Sequence, residues 1–156
     1  LDATLDKLGQ QKFAAISQRQ FDRIDPGFWA PRVLQDKLPG SPADRRVLQQ
    51  AGIGDVSVPN IGSFLHARAL GLSQVTPTPR AVFGLPQVAA PYDGSAFALY
   101  DFGVDDHFYV DAVPGPKDTP VHGELRQTES AMAQMDAFFR TPSSIVNACD
   151  GVCDPN

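Results

Sequence analysis

The chain has 156 residues, of which 42% are apolar and 20% are charged, and it carries a net charge of −5 at neutral pH. This composition excludes a disordered chain, and the length suits a single domain over 1–156. No run approaches the roughly 18 apolar residues of a membrane-spanning helix, and three basic against ten acidic side chains over 101–156 argue against general nucleic-acid binding.

The first segment, residues 1–24, predicts a helical region that contacts a protein partner. Its apolar side chains recur three or four residues apart, as on one side of a helix, but five-residue steps interrupt the pattern. Either the apolar stripe wraps around a partner surface, or the helix breaks near Gly9 and packs on the rest of the domain. The residues that define the pattern are Leu1, Leu5, Leu8, Phe13, Ile16, Phe21 and Ile24.

Shorter helices are predicted over the rest of the first 72 residues. Asp25-Pro26 marks a helix start, because Asp caps free N–H groups and Pro is tolerated in the first turn. A second start at Ser41-Pro42 predicts a helix that ends at Gly52. A further helix is predicted over Asn60–Leu70, with Gly71 closing it. Residues 1–72 are therefore the helical part of the predicted fold.

The second part, residues 73–156, predicts a small sheet and one long helix. The best strand candidates are 96–102 and 107–113, and the turn residues between them predict a β-hairpin. Weaker strands are predicted over 80–85 and 143–148, and a long helix over 123–140. The predicted fold class is therefore α+β: a helical N-terminal half packed on a small antiparallel β-sheet, with one long C-terminal helix.

Several common catalytic motifs do not occur in this sequence. It has no Gly-x-x-x-x-Gly-Lys phosphate loop, and Gly52-Ile53-Gly54 lacks the third glycine of a dinucleotide-binding fingerprint. It also has no Gly-x-Ser-x-Gly nucleophile elbow. These absences argue against the commonest nucleotide-binding and serine-hydrolase classes.

A cluster of carboxylates and one histidine falls in the predicted hairpin. Carboxylates beside a histidine can orient it for acid–base work, but Asp and Gly are also preferred in turns for backbone reasons alone. His66 stands among apolar residues of a predicted helix and is interpreted as a packed or surface histidine. The hairpin cluster consists of Asp101, Asp105, Asp106, His107, Tyr109 and Asp111.

A more specific candidate site consists of residues at the start of the late helix together with the two cysteines. His122, Cys149 and Cys153 are one imidazole and two thiols, a natural ligand set for Zn²⁺ with a fourth position left for water. The metal would lower the pKa of that water. Glu124, two residues after the histidine, could then move the proton without binding the metal.

The arrangement His122-x-Glu124, twenty-four further residues, then Cys149 and Cys153 resembles the zinc-dependent cytidine and nucleobase deaminase superfamily. The resemblance covers residues 95–156. It implies that His122, Cys149 and Cys153 hold zinc and that Glu124 is the proton shuttle. The implied activity is that of a zinc-dependent hydrolase acting on a nucleobase, as in a toxin-type catalytic domain.

The sequence favours a different interpretation of the two cysteines, a local disulfide between Cys149 and Cys153, for which Gly151 allows the tight turn; the zinc site is the alternative. A low, even cysteine count fits an exported protein. The chain starts at Leu1 without a basic and apolar leader, which fits removal of a leader or a domain cut from a longer chain. Between the two interpretations, the sequence favours a small exported binding or interaction protein, or an accessory subunit of a larger partner, without a cofactor.

Overall fold

The protein was analysed as a computed structural model that describes residues 4–104, 119–140 and 142–154. Helices precede and follow a sheet, and α4 lies between its first two strands. The helices are α1 (Lys7–Phe21), α2 (Pro26–Trp29), α3 (Pro31–Leu34), α4 (Asn60–Leu70), α5 (Val121–Glu124) and α6 (Glu129–Phe139), with a 3₁₀ turn at Leu125–Gln127. The strands are β1 (Leu48–Gly52), β2 (Ser73–Thr76), β3 (Gln87–Ala89) and β4 (Ala96–Tyr100).

The four strands form one sheet in the order β1-β4-β2-β3, and every pairing is parallel. The predicted antiparallel sheet is therefore wrong, and the fold class is α/β rather than α+β. The strand predicted over 96–102 is present as β4, but β1 and β2 occupy its two sides. Its expected hairpin partner, 107–113, lies outside the described residues.

The error in fold class began at β1, where the sequence predicts a helix from Ser41 to Gly52. The strand reads Leu-Gln-Gln-Ala-Gly, and none of these residues is β-branched or aromatic. Local propensity therefore favours a helix, but pairing with the fully buried β4 overrides it. Because β1 is a strand, the connection through α4 to β2 becomes the crossover that parallel strands require.

Helices cover both faces of the sheet. In β4, Phe97 and Leu99 pack with Ala67 of α4, whereas Ala98 and Tyr100 pack with Ala131 of α6. Since successive side chains of a strand point to opposite faces, α4 and α6 lie on opposite sides of the sheet. This three-layer arrangement buries the central strand completely.

The prediction for α4 is confirmed at both ends. The helix spans Asn60–Leu70, and Gly71 adopts the left-handed conformation with a φ of 74° while its N–H donates to the last turn. A residue with a Cβ is strained there, so glycine is the natural terminator. The late helix predicted over 123–140 is instead interrupted, because Thr128 has extended backbone angles between the 3₁₀ turn and α6.

The N-terminal helix α1 starts at a cap on Asp6, whose Oδ1 accepts the Gly9 N–H. No residue of α1 is buried, and large apolar side chains such as Phe13 and Ile16 are exposed. The helix does not break at Gly9. Contact of residues 1–24 with a protein partner stays a prediction. None of the described helices is long and apolar enough to cross a membrane.

The remaining predicted strands are replaced by irregular structure. Residues 80–85 contain a turn at Phe83-Gly84, and the segment 143–148 contributes only one isolated antiparallel bridge, between Ile145 and Tyr92. The regular strands β2 and β3 lie in a region where the sequence shows mainly proline and turn residues. Their short length, four and three residues, leaves little periodic signal to detect.

The buried Tyr100 makes the stability of the fold sensitive to alkaline pH. Burial raises the pKa of Tyr100 to about 12, more than a hydrogen bond with Gln50 lowers it. The folded state therefore binds this proton more tightly than the unfolded state, whose tyrosine titrates near 10. The resulting contribution of Tyr100 to the free energy of unfolding is complete below about pH 10 and is lost as the pH rises toward 12.

We expect wild-type protein to lose about 2 kcal/mol of unfolding free energy between about pH 9 and about pH 11.5 through this group. Urea titrations at the two pH values measure the loss. Tyr100→Phe should remove most of this pH dependence, although it also removes the hydroxyl that donates to Gln134. An equal alkaline loss in Tyr100→Phe would show that other groups cause it.

Candidate active site

A buried carboxylate and a partly exposed imidazole form the most specific constellation among the described residues. His122 Nδ1 lies 2.8 Å from Asp55 Oδ2, and the side chains are 38% and 8% exposed, respectively. The two residues are 67 positions apart in the chain. Such a pair is one element of acid–base catalytic sites.

The sheet determines where this pair lies. Asp55 follows the carboxyl end of β1 by three residues, and His122 stands in the first turn of α5, on the chain that continues from β4. β1 and β4 are adjacent and parallel, so the segments that leave them begin at the same edge of the sheet. In open α/β folds the carboxyl ends of the strands form the usual place for a binding or catalytic site.

The Asp55 carboxylate is held in place through both of its oxygens. Oδ1 accepts the backbone N–H groups of Ser57 and Val58 at 2.8 and 2.9 Å. Oδ2 is left to His122. Three hydrogen bonds compensate the burial of the negative charge and prevent the carboxylate from turning away from the ring.

The contact with Asp55 also determines which ring nitrogen of His122 is available for chemistry. An ionised carboxylate only accepts hydrogen bonds, so Nδ1 carries the hydrogen and the lone pair of a neutral ring is on Nε2. Within residues 4–104, 119–140 and 142–154, Nε2 has no hydrogen-bond partner. The ring is therefore oriented by one nitrogen and can exchange a proton through the other.

Asn60 fixes the turn that carries Asp55. Its side chain is 2% exposed. Its Oδ1 accepts the Gly54 N–H at 2.9 Å, and its Nδ2 donates to the Gly52 carbonyl at 2.7 Å. Thr119 ties the same turn to the approach to α5, because its hydroxyl donates to the Gly54 carbonyl at 2.7 Å. The loops that carry Asp55 and His122 are thus joined to each other.

Two glycines allow the loops that carry Asp55 and His122 to approach each other closely. Gly54 has a φ of 84°, a conformation that side-chain-bearing residues rarely adopt. At Gly52 a Cβ would overlap with Cγ1 of Val121, the buried residue next to His122. The Gly52-Ile53-Gly54 sequence therefore serves the packing of two loops rather than a nucleotide phosphate.

The residues assigned to zinc by resemblance have different partners in the structure. Cys149 and Cys153 form a disulfide with an S–S distance of 2.13 Å, which confirms the pairing that the sequence favours. His122 binds Asp55 instead. Among the described residues, no group of three or more His, Cys, Asp or Glu side chains could hold a metal ion.

Glu124 and Cys149 line the same cavity of about 910 Å³. The cavity lies between the region of α5 and α6 and the C-terminal segment. Its acidic lining residues are Glu124, Glu129, Asp150 and Asp154. The cavity therefore opens beside the helix that carries His122.

Of the other candidate residues from the sequence, the two that the structure describes do not contact the Asp55–His122 pair. Asp101 accepts the Gly103 N–H through Oδ1, as a turn residue does. His66 lies on α4 and is partly buried. The remaining hairpin candidates, Asp105, Asp106, His107, Tyr109 and Asp111, lie outside the described residues.

Comparisons with protein-family models, with curated proteins and with solved structures give no match to this chain. The class of site is therefore argued from its own geometry.

Sequence analysis missed Asp55 and Asn60, although it singled out His122. The available signal was Asp55 directly after the glycine-rich end of an apolar segment. That signal has meaning only if residues 48–52 are a strand, because an acidic residue just beyond a parallel strand lies at the functional edge of the sheet. Because the sequence predicts a helix over this segment, Asp55 was not identified as a candidate residue.

Proposed function

We propose that Asp55 and His122 are the acid–base pair of a hydrolase in which His122 is the general base for the attacking water. The observation that carries this proposal is the 2.8 Å contact between a buried, doubly anchored carboxylate and Nδ1 of a partly exposed histidine. This is the relation between the acid and the base in Ser-His-Asp catalysis.

Each group has a defined task in this chemistry. His122 Nε2 accepts a proton from water as the water oxygen attacks a carbonyl carbon. It then donates that proton to the leaving group as the bond to the carbonyl carbon breaks, which releases the acid product and the protonated leaving group. Asp55 holds the ring in the required tautomer and stabilises the imidazolium form.

The fold supports the same assignment. In α/β-hydrolases the nucleophile, the acid and the base stand at the carboxyl edge of a parallel sheet, and the acid precedes the histidine in the chain. Here Asp55 precedes His122, and both stand at that edge of a parallel sheet. This is an argument at the level of the fold, and the site geometry carries the functional inference.

The disulfide supports an exported location for this hydrolase. The disulfide between Cys149 and Cys153 is compatible with an oxidising, exported compartment. We therefore propose an exported hydrolase of the acyl-transfer type in place of a zinc enzyme.

The test uses p-nitrophenyl esters as substrates. We expect ester hydrolysis by wild-type protein. His122→Ala should lower its rate by about 10³-fold, because the attacking water loses its general base.

His66→Ala is the matched control, since it removes the other described imidazole, which lies on α4 away from Asp55. It should leave the rate of ester hydrolysis unchanged. If wild-type protein is inactive, or if His122→Ala is as active as wild-type protein, the proposed function is wrong.

A further inference from the structure

The cavity beside α5 lies where the connections of the sheet leave for opposite faces. β1 and β4 are adjacent and parallel, but α4 follows β1 and covers one face, whereas α6 comes after β4 and covers the other. In open α/β folds, ligands bind in the crevice at the carboxyl ends of two such strands. Phe102, two residues after the end of β4, lines the cavity, so the cavity reaches this crevice.

The cavity also adjoins the two segments that carry the acid–base pair. A Cβ at Gly52 would lie 3.1 Å from Cε2 of Phe102, and Gly52 stands three residues before Asp55. Glu124 contributes to the lining from α5, two residues after His122. The cavity and the Asp55–His122 pair therefore share the carboxyl edge of β1 and β4.

The C-terminal wall of the cavity is fixed in place. A disulfide closes the loop from Cys149 to Cys153, and the Cys153 carbonyl accepts the Asp101 N–H at 2.9 Å, which ties this loop to the end of β4. Asn147 supports the loop, since it donates to the Gly151 carbonyl at 2.7 Å and accepts the Cys149 N–H at 3.0 Å. A volume of about 910 Å³ behind such a wall is typical of a preformed small-molecule site.

The lining gives the cavity a negative charge. Carboxylates enter it from three segments, with Glu124 on α5, Glu129 on α6, and Asp150 and Asp154 on the C-terminal segment. The sequence of residues 105–118, the chain between β4 and α5, has four acidic residues and one lysine, so it brings no surplus of positive charge to balance them. Like charges around one cavity repel one another, and a bound cation relieves that repulsion.

We propose that this cavity binds an organic ammonium ion, and that the ammonium group belongs to the substrate of His122. The carboxylates determine the charge of the ligand, whereas the volume and position of the cavity indicate that it holds one. Phe102 supplies an aromatic ring, which attracts alkylammonium groups. A metal ion is the poorer ligand, because no group of three or more described His, Cys, Asp or Glu side chains could hold one. The assignment of the cation to the substrate rests on the proposed function.

The first test measures binding without hydrolysis. Benzylammonium and benzyl alcohol have nearly the same size and differ in charge, and neither is an ester. In NMR titrations of wild-type protein, we expect benzylammonium to shift the amide signals of Ala148 and Ser130, both of which line the cavity. Its Kd should be at least about tenfold lower than that of benzyl alcohol.

The second test removes lining charges at constant side-chain size. Glu124→Gln combined with Glu129→Gln should weaken benzylammonium binding by about tenfold or more and leave benzyl alcohol binding unchanged. Asp136→Asn is the matched control, because Asp136 lies on α6 as Glu129 does but outside the lining of the cavity. It should change neither affinity. Near-UV circular dichroism verifies the fold of each variant.

The third test asks whether the cation is part of the substrate. It compares the p-nitrophenyl ester of an acid that bears a trimethylammonium group with the ester of the neutral acid in which carbon replaces the nitrogen. We expect kcat/KM of wild-type protein to be about tenfold higher for the cationic ester. The combined Glu124→Gln and Glu129→Gln variant should lose this preference and keep its kcat/KM for the neutral ester.

The outcomes separate this inference from the proposed function. Equal affinity of the two probes, or benzylammonium affinity that does not depend on Glu124 and Glu129, would overturn the cation site and leave the role of His122 intact. Cation binding together with equal kcat/KM for the two esters would overturn the assignment of the cation to the substrate. Hydrolysis of neither ester would instead overturn the proposed function, while the probes still test the cation site.

Discussion

Asp55→Asn is expected to lower kcat for ester hydrolysis by about 10⁴-fold while the protein stays folded. The asparagine oxygen can still accept the N–H groups of Ser57 and Val58 that now bind Oδ1. The amide nitrogen then faces His122 Nδ1 and donates to it. The ring hydrogen moves to Nε2, so the base lacks the lone pair that it needs to accept the proton of the attacking water.

Two measurements identify this cause. Steady-state kinetics should show a fall in kcat with little change in KM, because substrate binding does not involve the ring hydrogen. Nitrogen-15 NMR of His122 should show the change of tautomer directly. Asp101→Asn is the matched control: Asp101 follows β4 at the same edge of the sheet, but it binds the Gly103 N–H and should leave both readouts unchanged.

A different result would change the assignment. If Asp55→Asn kept the wild-type kcat, the carboxylate would be a structural anchor of the loop after β1. If kcat fell in Asp101→Asn as well, the effect would belong to the charge of this sheet edge rather than to the Asp55–His122 pair.

The sequence correctly predicted those elements of the fold whose own residues specify their secondary structure. Helix α4 has apolar residues at helical spacing and a glycine that needs a positive φ at its end, so both ends were correct. Strand β4 alternates aromatic and small residues and was also found. The arrangement of the strands was wrong because β1 has helix-favouring residues, and only its pairing with β4 makes it a strand.

The candidate site was harder to predict from the sequence than the fold. The spacing of His122 from Glu124 and the cysteines made it a candidate residue, but its partner is Asp55, 67 residues away. Nothing in the local sequence joins these two residues, because the contact depends on β1 and β4 being parallel neighbours. Because the sequence predicts a helix over the residues of β1, it gives no reason to consider the acidic residue that follows them.

Asn60→Ala is expected to destabilise the protein by roughly 2–4 kcal/mol and to lower kcat in the fraction that remains folded. The substitution leaves the buried Gly54 N–H and the buried Gly52 carbonyl without the side-chain partners that bind them at 2.9 and 2.7 Å. An unsatisfied buried polar group costs about 1–3 kcal/mol. Such a loss is a large share of the usual stability of a domain.

The loss of activity has a separate physical reason. Gly52 and Gly54 belong to the turn that holds Asp55 opposite His122, and a displacement of about 1 Å there is enough to weaken catalysis strongly. Urea titration measures the stability, and kinetics at a temperature where the variant is folded measure kcat and KM. We expect kcat to fall while KM changes little.

Asn147→Ala tests whether this effect is specific to the turn. Asn147 also bridges two backbone groups, since it donates to the Gly151 carbonyl and accepts the Cys149 N–H, but it is partly exposed and lies in the C-terminal segment. Water can replace its bonds, so its substitution should be less destabilising than that of Asn60 and should leave kcat unchanged. Equal loss of kcat in both variants would mean that general loosening of the domain, rather than the position of Asp55, limits the reaction.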